Sequence, residues 1–486
     1  MRRRSLLIVG LFEACIAATG CGGPPSGLTG SSLQDLEPSP ANDIAALSAA
    51  CGRAMPATTR LFVPPPNQGA VAQIQDLARA HDFRGALRLA ALEAMPQAVW
   101  FTGGSPDEVE TAVRATIDAA ARERRVPILV SYNIPFRDCA QYSGGGAVDT
   151  PAYEAWIDAF ARGIGNHEAL VILEPDGLGI IPYNTTIGGA SDWCQPTVAD
   201  PMGNSVPAPG ASPGERYAQL NHAVDALQSL APKSRVYLDG THSSWLPVGE
   251  AAYRLAKAGV QKAEGFFVNV SNYQPTPQLT QYGTWISKCL YYTSNDAEGG
   301  WRLGHYEYCA GQDYPANRQD YSTWALTDQW YADNVDNAAN PPSGPSALAH
   351  FVIDTGRNGR GPLDASTYAA VPFNQPASVV AGLNAGNWCN AKGAGVGLRP
   401  TAQTGVALLD AYLWVKTPGQ SDGSCDIAGG ARAWDYAQYN PWGVAGDAQA
   451  HFDPLWGEID PVAGAWFPEQ ALELANQADP PLTFPH

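Results

Sequence analysis

The sequence has little charge and few long apolar runs, and each of these deficits excludes a class of protein. Charged residues make up 16% of the 486 residues, and 47 acidic against 29 basic side chains give a formal net charge of −18. A nucleic-acid-binding protein needs a basic stripe, which this sequence lacks. Beyond the N-terminus no apolar run is long enough for a membrane-spanning helix. We therefore predict a protein that acts on neutral molecules, with no nucleic-acid partner.

Histidine and closely spaced cysteines are also scarce. The chain has 8 His and 9 Cys, and no CxxC pair occurs, so the case for a structural zinc site is weak. We predict no metal site and no cofactor. Cys15 and Cys21 lie near the N-terminus, and Cys51 is left over. The other cysteines could form three disulfides, the default in an exported protein: Cys139, Cys194, Cys289, Cys309, Cys389 and Cys425.

The N-terminus combines a basic start, a short apolar stretch and small residues, MRRRSLLIVGLFEACIAATGCGG. This pattern predicts an export signal over residues 1–21. Ala18-Thr-Gly-Cys21 resembles a bacterial lipoprotein box, so the protein is predicted to be either secreted or tethered to the cell surface by a lipid on Cys21. Residues 22–59 are rich in Gly, Pro and Ser and indicate a linker. Residues 60–486 are predicted to form one folded unit, a monomer.

Apolar β-rich runs alternate with amphipathic segments through the rest of the chain. Helical spacing is found over 150–165 and 215–231. The apolar runs cover 125–133, 169–177, 234–242, 265–273, 349–361 and 405–423. This alternation predicts an α/β fold with a parallel sheet. The nearly continuous apolar character of the runs indicates strands that are buried on both faces.

Polar side chains follow these runs at the points where the strands end. They are Asp138, Asp176, His242, Asn272, Arg357 and Asp422. Asp and Asn are common in turns, but Arg and His are not turn residues. In a (β/α) barrel the C-terminal strand ends meet at one mouth, which holds the active site. The sequence therefore predicts a polar site at that mouth.

Several carboxylates, few cations and 14 Trp favour glycoside hydrolysis. That reaction needs a carboxylic acid to protonate the leaving oxygen and a second carboxylate to attack the sugar or to activate water. Asp176 is the best candidate acid, because a buried strand and Pro175 precede it and Asp138 would raise its pKa. Asp422 lies in a Gly-rich loop that suits a segment closing over substrate. Glu174 is interpreted as an anchor of the barrel mouth.

Motifs from one end of this region to the other resemble those of glycoside hydrolase family 6, the inverting β-1,4-glucanases that cut cellulose. They are Tyr132-Asn-Ile-Pro-Phe-Arg-Asp-Cys139, Glu174-Pro-Asp176, and the segments 237–246, 269–273, 354–362, 387–390 and 413–423. They follow in the family's order, and the match covers roughly residues 60 to 486. The resemblance implies a distorted seven-stranded (β/α) barrel with its active site at the C-terminal strand ends.

The resemblance also implies roles for individual residues. Asp176 would be the general acid, Asp138 would support it, and Asp422 would be the proposed base. Tyr132 would crowd the sugar ring, and Ser143 would help to place a water. A cellulose or β-glucan chain would contact Trp100, His242, Trp245, Asn272, Trp388, Lys416 and Gln420. The implied disulfides are Cys139–Cys194 and Cys389–Cys425.

The sequence departs from the family pattern in two places. Gln420 stands where the family has Glu, so it would hold a sugar hydroxyl less strongly. The segment 275–348 is long, and Cys289 and Cys309 within it are expected to pair. The short loop after Cys139 favours an open, endo-acting cleft. The long segments near 275–348 and after residue 425 could instead roof its other side. Endo-action is therefore slightly favoured over cellobiohydrolase action.

Two other hypotheses fit the same barrel. The first is a non-catalytic, surface-displayed glucan-binding protein, which Gln420 and the predicted lipid on Cys21 motivate. The second is a retaining glycosidase of another barrel family, whose two carboxyl groups would lie closer together than those of an inverting enzyme.

Overall fold

The computed structural model describes residues 54–294, 300–426 and 432–483. The predicted export signal, Cys21, Cys51 and most of the predicted linker lie outside these ranges. The described strands are β1 Val99–Phe101, β2 Ile128–Ser131, β3 Ala169–Leu173, β4 Thr197–Ala199, β5 Ser205–Pro207, β6 Ser234–Asp239, β7 Gly265–Val268, β8 His350–Asp354 and β9 Leu409–Leu413. The described α-helices are α1 Gln68–Arg79, α2 Phe83–Glu93, α3 Pro106–Arg122, α4 Thr150–Ile164, α5 Pro213–Leu230, α6 Val248–Lys257, α7 Thr276–Ser294, α8 Ala325–Tyr331, α9 Ala377–Ala385 and α10 Pro468–Asn476.

Seven parallel strands form one curled sheet in the order β1-β2-β3-β6-β7-β8-β9. The two edges approach each other where the N–H of Ala98 donates to the carbonyl of Trp414 at 3.0 Å. The strands β4 and β5 form a separate antiparallel hairpin. The predicted α/β fold with a distorted seven-stranded barrel is confirmed.

Side chains of each strand alternate between two buried layers, as the two-residue period of a strand requires. In β3, Leu170 and Ile172 point into the barrel, whereas Val171 and Leu173 join the layer under the helices. In that outer layer Trp156 and Phe160 of α4 stack at 5.8 Å. Burial on both faces explains why the strands of this sheet are apolar at most positions.

Capping side chains fix the helices that follow the mouth loops. The hydroxyl of Ser105 accepts from the N–H of Glu108, and the Glu108 carboxylate accepts from the N–H of Ser105 in return. Asp149 and Ser212 cap α4 and α5 in the same way, and α3, α4 and α5 each have a Pro in the first turn. Such caps satisfy the N–H groups that a helix start leaves open, and Pro there removes no bond. These caps therefore set where each mouth loop ends.

Two additions pack around the barrel. The long segment after β7 is tied by the expected Cys289–Cys309 disulfide. A second, smaller aromatic core lies between α9 and the segment after residue 432, built on Tyr368, Leu383, Trp434 and Leu455. At the opposite end of the barrel, Met55 is buried and its N–H donates to Asp410 at 3.0 Å. None of the described helices combines the length and apolar character that crossing a membrane would require.

Candidate active site

A cleft of about 980 Å³ lies at the C-terminal ends of the barrel strands. Every residue predicted to act in catalysis or in substrate binding lines it: Trp100, Tyr132, Asp138, Ser143, Asp176, His242, Trp245, Asn272, Trp388, Lys416, Gln420 and Asp422. Arg357, which the sequence also assigned to the mouth, is instead fully buried beneath it. Arg357 is buried there because its guanidinium pairs with the carboxylate of Asp422.

Asp176 follows β3 on a strained turn and is half-buried in the cleft. Its φ of 63° lies in the left-handed region that non-glycine residues rarely adopt, and such strain is concentrated at functional sites. Among the described residues, no group donates a hydrogen bond to its carboxyl oxygens. Burial raises the pKa of Asp176 well above its usual range, and the Asp239 carboxylate raises it further. Asp138 and Asp422 act in the same direction, so the site favours the protonated form of Asp176.

Asp138 follows β2, the strand beside β3 in the sheet, and belongs to a chain of hydrogen bonds. Its Oδ2 accepts from both the N–H and the hydroxyl of Ser143, each at 3.0 Å. The Ser143 hydroxyl lies 3.1 Å from the hydroxyl of Tyr132, whose ring packs edge-on against Trp100. Burial raises the pKa of Asp138, and the Ser143 bonds oppose that rise. The other oxygen, Oδ1, accepts no hydrogen bond from a described residue.

Asp422 lines the cleft, and two cations hold its carboxylate. Its Oδ2 accepts from Nη1 of Arg357 at 2.7 Å and from the N–H of Asn390 at 2.9 Å. Its Oδ1 lies 3.0 Å from Nζ of Lys416. Burial by itself would raise the pKa of Asp422, but Arg357 and Lys416 together lower it to about 2. The sequence predicted a segment that closes over substrate, but these bonds fix the loop in place.

Three other carboxylates at strand ends hold the mouth loops through backbone N–H groups. Glu174 accepts from the N–H groups of residues 133 and 134, which lead to Asp138. Asp239 accepts from residues 178, 179 and 241, which flank Asp176 and precede His242. Asp354 accepts from residues 271, 356, 415 and 416. Glu174 is thus an anchor of the barrel mouth, as expected.

These three anchors are buried, and burial raises the pKa of each. The pKa of Glu174 rises to about 7 and that of Asp239 to about 6. Burial also raises the pKa of Asp354, and the four backbone N–H groups oppose that rise. The anchoring roles of Asp239 and Asp354 could not be predicted from the sequence, since a backbone N–H leaves no mark in a sequence.

Aromatic side chains form the walls of the cleft. The indole N–H of Trp100 donates to the carbonyl of Val415 at 2.8 Å, which fixes the ring across the β1 and β9 edges. His242 lies 5.7 Å from Trp245, ring centre to ring centre. Burial lowers the pKa of His242 to about 3, with a smaller effect from Arg318, so the imidazole is neutral. Trp388 keeps 39% of its surface exposed.

The sequence model of the glycosyl hydrolases family 6 matches residues 56–478. The chain belongs to this family. Endoglucanase 1 of Streptomyces halstedii is 31% identical over 73% of this chain and 79% of its own length. Endoglucanase 1 of Streptomyces sp. strain KSM-9 is 30% identical over 71% of this chain and 68% of its own length. The protein is accordingly a glycosidase of the cellulase type.

Solved family 6 structures have the same fold. The endoglucanase Cel6 from Mycobacterium tuberculosis, solved with methyl-cellobiosyl-4-deoxy-4-thio-β-D-cellobioside, superposes with a TM-score of 0.53 at 26% identity. That superposition covers 86% of this chain and 97% of the other. The catalytic core of the cellobiohydrolase Cel6A from Chaetomium thermophilum gives a TM-score of 0.53 at 23% identity, over 87% and 98% of the two chains.

Two disulfides secure the loops around the cleft of this family 6 chain. Cys139 bonds to Cys194, and Cys389 bonds to Cys425, as the resemblance implied. Disulfides of this kind are typical of exported proteins. From the first of these loops Tyr142 reaches across to the second, where its hydroxyl donates to the carbonyl of Asp426 at 3.2 Å.

The cleft also contains side chains that the sequence reasoning did not assign. Tyr142, Trp193, Tyr273 and Gln274 all line it. Tyr273 follows the NVSN segment, and Trp193 directly precedes Cys194. A Trp next to a cysteine expected to close a mouth loop was the available signal for Trp193. Tyr142 and Gln274 lie in irregular loops with no periodic pattern to place them.

Proposed function

We propose that this family 6 glycosidase cleaves β-1,4-glucosidic bonds of cellulose or a related β-glucan with inversion, and that Asp176 is its general acid. The observation that carries the proposal is the environment of Asp176. The carboxyl group is half-buried, accepts no hydrogen bond from a described residue, and lies among other carboxylates that raise its pKa. A carboxylic acid kept protonated at neutral pH can protonate a leaving glycosidic oxygen.

The neighbouring groups support a division of roles. Asp138 raises the pKa of Asp176 and would stabilise positive charge as it develops on the sugar. Its Oδ1 has no described donor, and Oδ2 is bonded to Ser143. We infer that Asp138 and Ser143 position the attacking water and receive its proton. Asp422, with a pKa of about 2, is a weak base whose charge is shared with two cations.

Endo-action is the form of attack that we propose. The Streptomyces relatives at 30 and 31% identity are endoglucanases, and the loop after Cys139 is short. The contact of Tyr142 with Asp426 covers the cleft at one point and favours the second candidate, cellobiohydrolase action. Viscosity of carboxymethylcellulose separates the two, because endo-action lowers viscosity well before reducing ends accumulate.

The first experiment measures hydrolysis of carboxymethylcellulose and cellohexaose by wild type and by Asp176→Asn. We expect fresh α-anomer from wild type by NMR, and a rate at least ~10²-fold lower in the variant. Asp447→Asn, an exposed carboxylate outside the cleft, is the matched control. Fresh β-anomer would refute inversion, and full activity of Asp176→Asn would refute the acid.

A leaving-group series tests the role of Asp176 more directly. An aryl cellobioside with a strongly acidic phenol needs little protonation, so Asp176→Asn should lose far less activity on it than on cellohexaose. For wild type, kcat/KM should hold through neutral pH and fall only as the pH rises through the raised pKa of Asp176. Equal losses on both substrates would show that Asp176 does not act as the acid.

A further inference from the structure

Trp193 is an exposed indole in the wall of the cleft. It keeps 54% of its surface accessible, more than the 39% of Trp388, although both line the same cavity. The exposed face of this Trp leaves apolar surface in contact with water. Because that face lies in the lining of a cleft, where aromatic side chains typically contact ligands, Trp193 is a candidate ligand contact. No described residue hydrogen-bonds to its indole N–H, so that group remains available to a ligand.

The backbone on both sides of Trp193 is held rigidly. Cys194 is bonded to Cys139, and its carbonyl accepts from the N–H of Tyr183 at 2.9 Å. On the other side, the carboxylate of Asp192 accepts from the buried guanidinium of Arg254 at 3.0 Å. The N–H of Asp192 donates to the carbonyl of Asn184 at 2.9 Å. Because the backbone of this loop is already fixed, a ligand that binds the indole does not have to order the loop, which lowers the entropic cost of binding.

The same segment belongs to the connection that carries the proposed acid. Asp176 and Trp193 both follow β3, and the Trp193 loop is tied by Cys194 to the residue after Asp138. The disulfide thus joins the Trp193 loop covalently to the backbone beside Asp138. Its ring lies in the wall of the cleft that Trp100, Trp245 and Trp388 also line.

We propose that Trp193 is an additional sugar-stacking platform, which binds a glucose ring of a β-glucan chain beyond those held by Trp100, Trp245 and Trp388. The flat apolar face of a β-linked glucose matches an indole face, and the free indole N–H can donate to a sugar hydroxyl. This inference rests on the proposed function, since it requires a glucan chain in the cleft. It makes Trp193 a determinant of preference for longer chains.

Calorimetric binding of cellohexaose and cellotriose to an Asp176→Asn parent tests the platform without turnover. We expect Trp193→Ala to weaken cellohexaose binding about tenfold, the loss typical of a truncated Trp anchor, and to weaken cellotriose binding less. Trp193→Phe keeps an aromatic face and should stay within about threefold of the parent. Trp301→Ala, at a Trp with 49% exposure outside the cleft lining, should leave both affinities unchanged.

The outcomes separate this inference from the proposed function. If the Asp176→Asn parent binds no cello-oligosaccharide, the proposed function fails. If the parent binds and Trp193→Ala matches it within twofold on cellohexaose, the platform is refuted. In the active enzyme, Trp193→Ala should raise KM for carboxymethylcellulose and leave kcat unchanged, because stacking contributes equally to ground and transition states. A fall in kcat at constant KM would also overturn the proposal.

Discussion

Replacing Asp422 by Asn removes the negative charge on which two buried cations depend. Arg357 is fully buried, and its Nη1 lies 2.7 Å from Oδ2 of Asp422, while Nζ of Lys416 lies 3.0 Å from Oδ1. The pKa of Asp422, lowered from 3.8 to about 2, corresponds to a stabilisation of about 2 kcal/mol. Removing one partner of a buried pair costs more, about 3–5 kcal/mol, because the remaining charge stays buried.

We expect the loss to fall near the lower limit, about 3 kcal/mol, because burial already lowers the pKa of Lys416 and its ammonium can release a proton. Typical unfolding entropies per residue, scaled to residues 54–483, give roughly 0.9 kcal/mol/K for cooperative unfolding. Asp422→Asn should therefore lower Tm by about 3 °C at pH 7.

The pH dependence has a definite sign. The folded-state pKa of Asp422 lies below its unfolded value, so its stabilisation is complete above about pH 4 and is lost as the pH falls through 2. The Tm difference between wild type and Asp422→Asn should therefore shrink as the pH falls from about 4 toward 2. Differential scanning calorimetry measures both quantities. Asp176→Asn is the matched control. Burial and neighbouring carboxylates raise the pKa of Asp176, and no described residue donates a hydrogen bond to its carboxyl group, so this substitution should not lower Tm.

One result would refute this reasoning. If Asp422→Asn unfolds at the wild-type Tm, yet loses activity that added azide restores, then Asp422 is the base and its ion pairs contribute nothing to stability. If Tm falls as expected and azide restores nothing, Asp422 organises the loop electrostatically and the proton of the water goes elsewhere.

Two further predictions follow from packing and burial. A Cβ on Gly179 would lie 2.4 Å from the Trp245 ring, so Gly179→Ala should displace that indole, cost about 1–3 kcal/mol of stability and raise KM for cellohexaose. Gly361→Ala, where a Cβ meets nothing within 4 Å, is the control. Equal KM values for the two variants would contradict the prediction. Asp460 is buried, and burial together with the Asp453 carboxylate raises its pKa to about 9. The unfolded state releases this proton near pH 4, whereas the folded state keeps it up to about pH 9, so wild type loses stability as the pH rises between these values. Asp460→Asn should therefore gain Tm relative to wild type as the pH rises from 5 to 9, and a parallel shift at all pH values would exclude this linkage.

Local pattern predicted the parallel α/β sheet and the polar residues at its strand ends, whereas the seven-stranded barrel and the aromatic residues of the cleft came from the family resemblance. Strands buried on both faces must be apolar, and parallel strands bring their C-terminal ends together, so polar residues such as Asp138 and Asp176 were identifiable as neighbours. Two of the three disulfides came from the resemblance, because six cysteines allow many pairings from spacing alone. Cys289 and Cys309 were expected to pair because both lie in the long segment 275–348.

What the sequence could not predict depends on contacts between distant segments. The side chain of Arg357 is buried under Asp422 rather than lining the cleft, because the charge of Asp422 neutralises it there. Asp239 contributes more than Asp138 to the raised pKa of Asp176, a ranking that only three-dimensional proximity gives. Trp193 lies in an irregular loop, where no periodicity distinguishes a ligand contact from a surface residue.

The anchoring of the mouth loops by Glu174, Asp239 and Asp354 has a consequence for how this barrel tolerates change. Every amino acid except proline carries a backbone N–H, so a loop held through such groups can exchange its side chains freely without losing its position. Substrate preference can therefore be altered by loop grafting, provided that the residues bonded to the three carboxylates are not replaced by proline. The three carboxylates that hold the loops lie outside the cleft lining, so they and the side chains that face the cleft can be substituted separately.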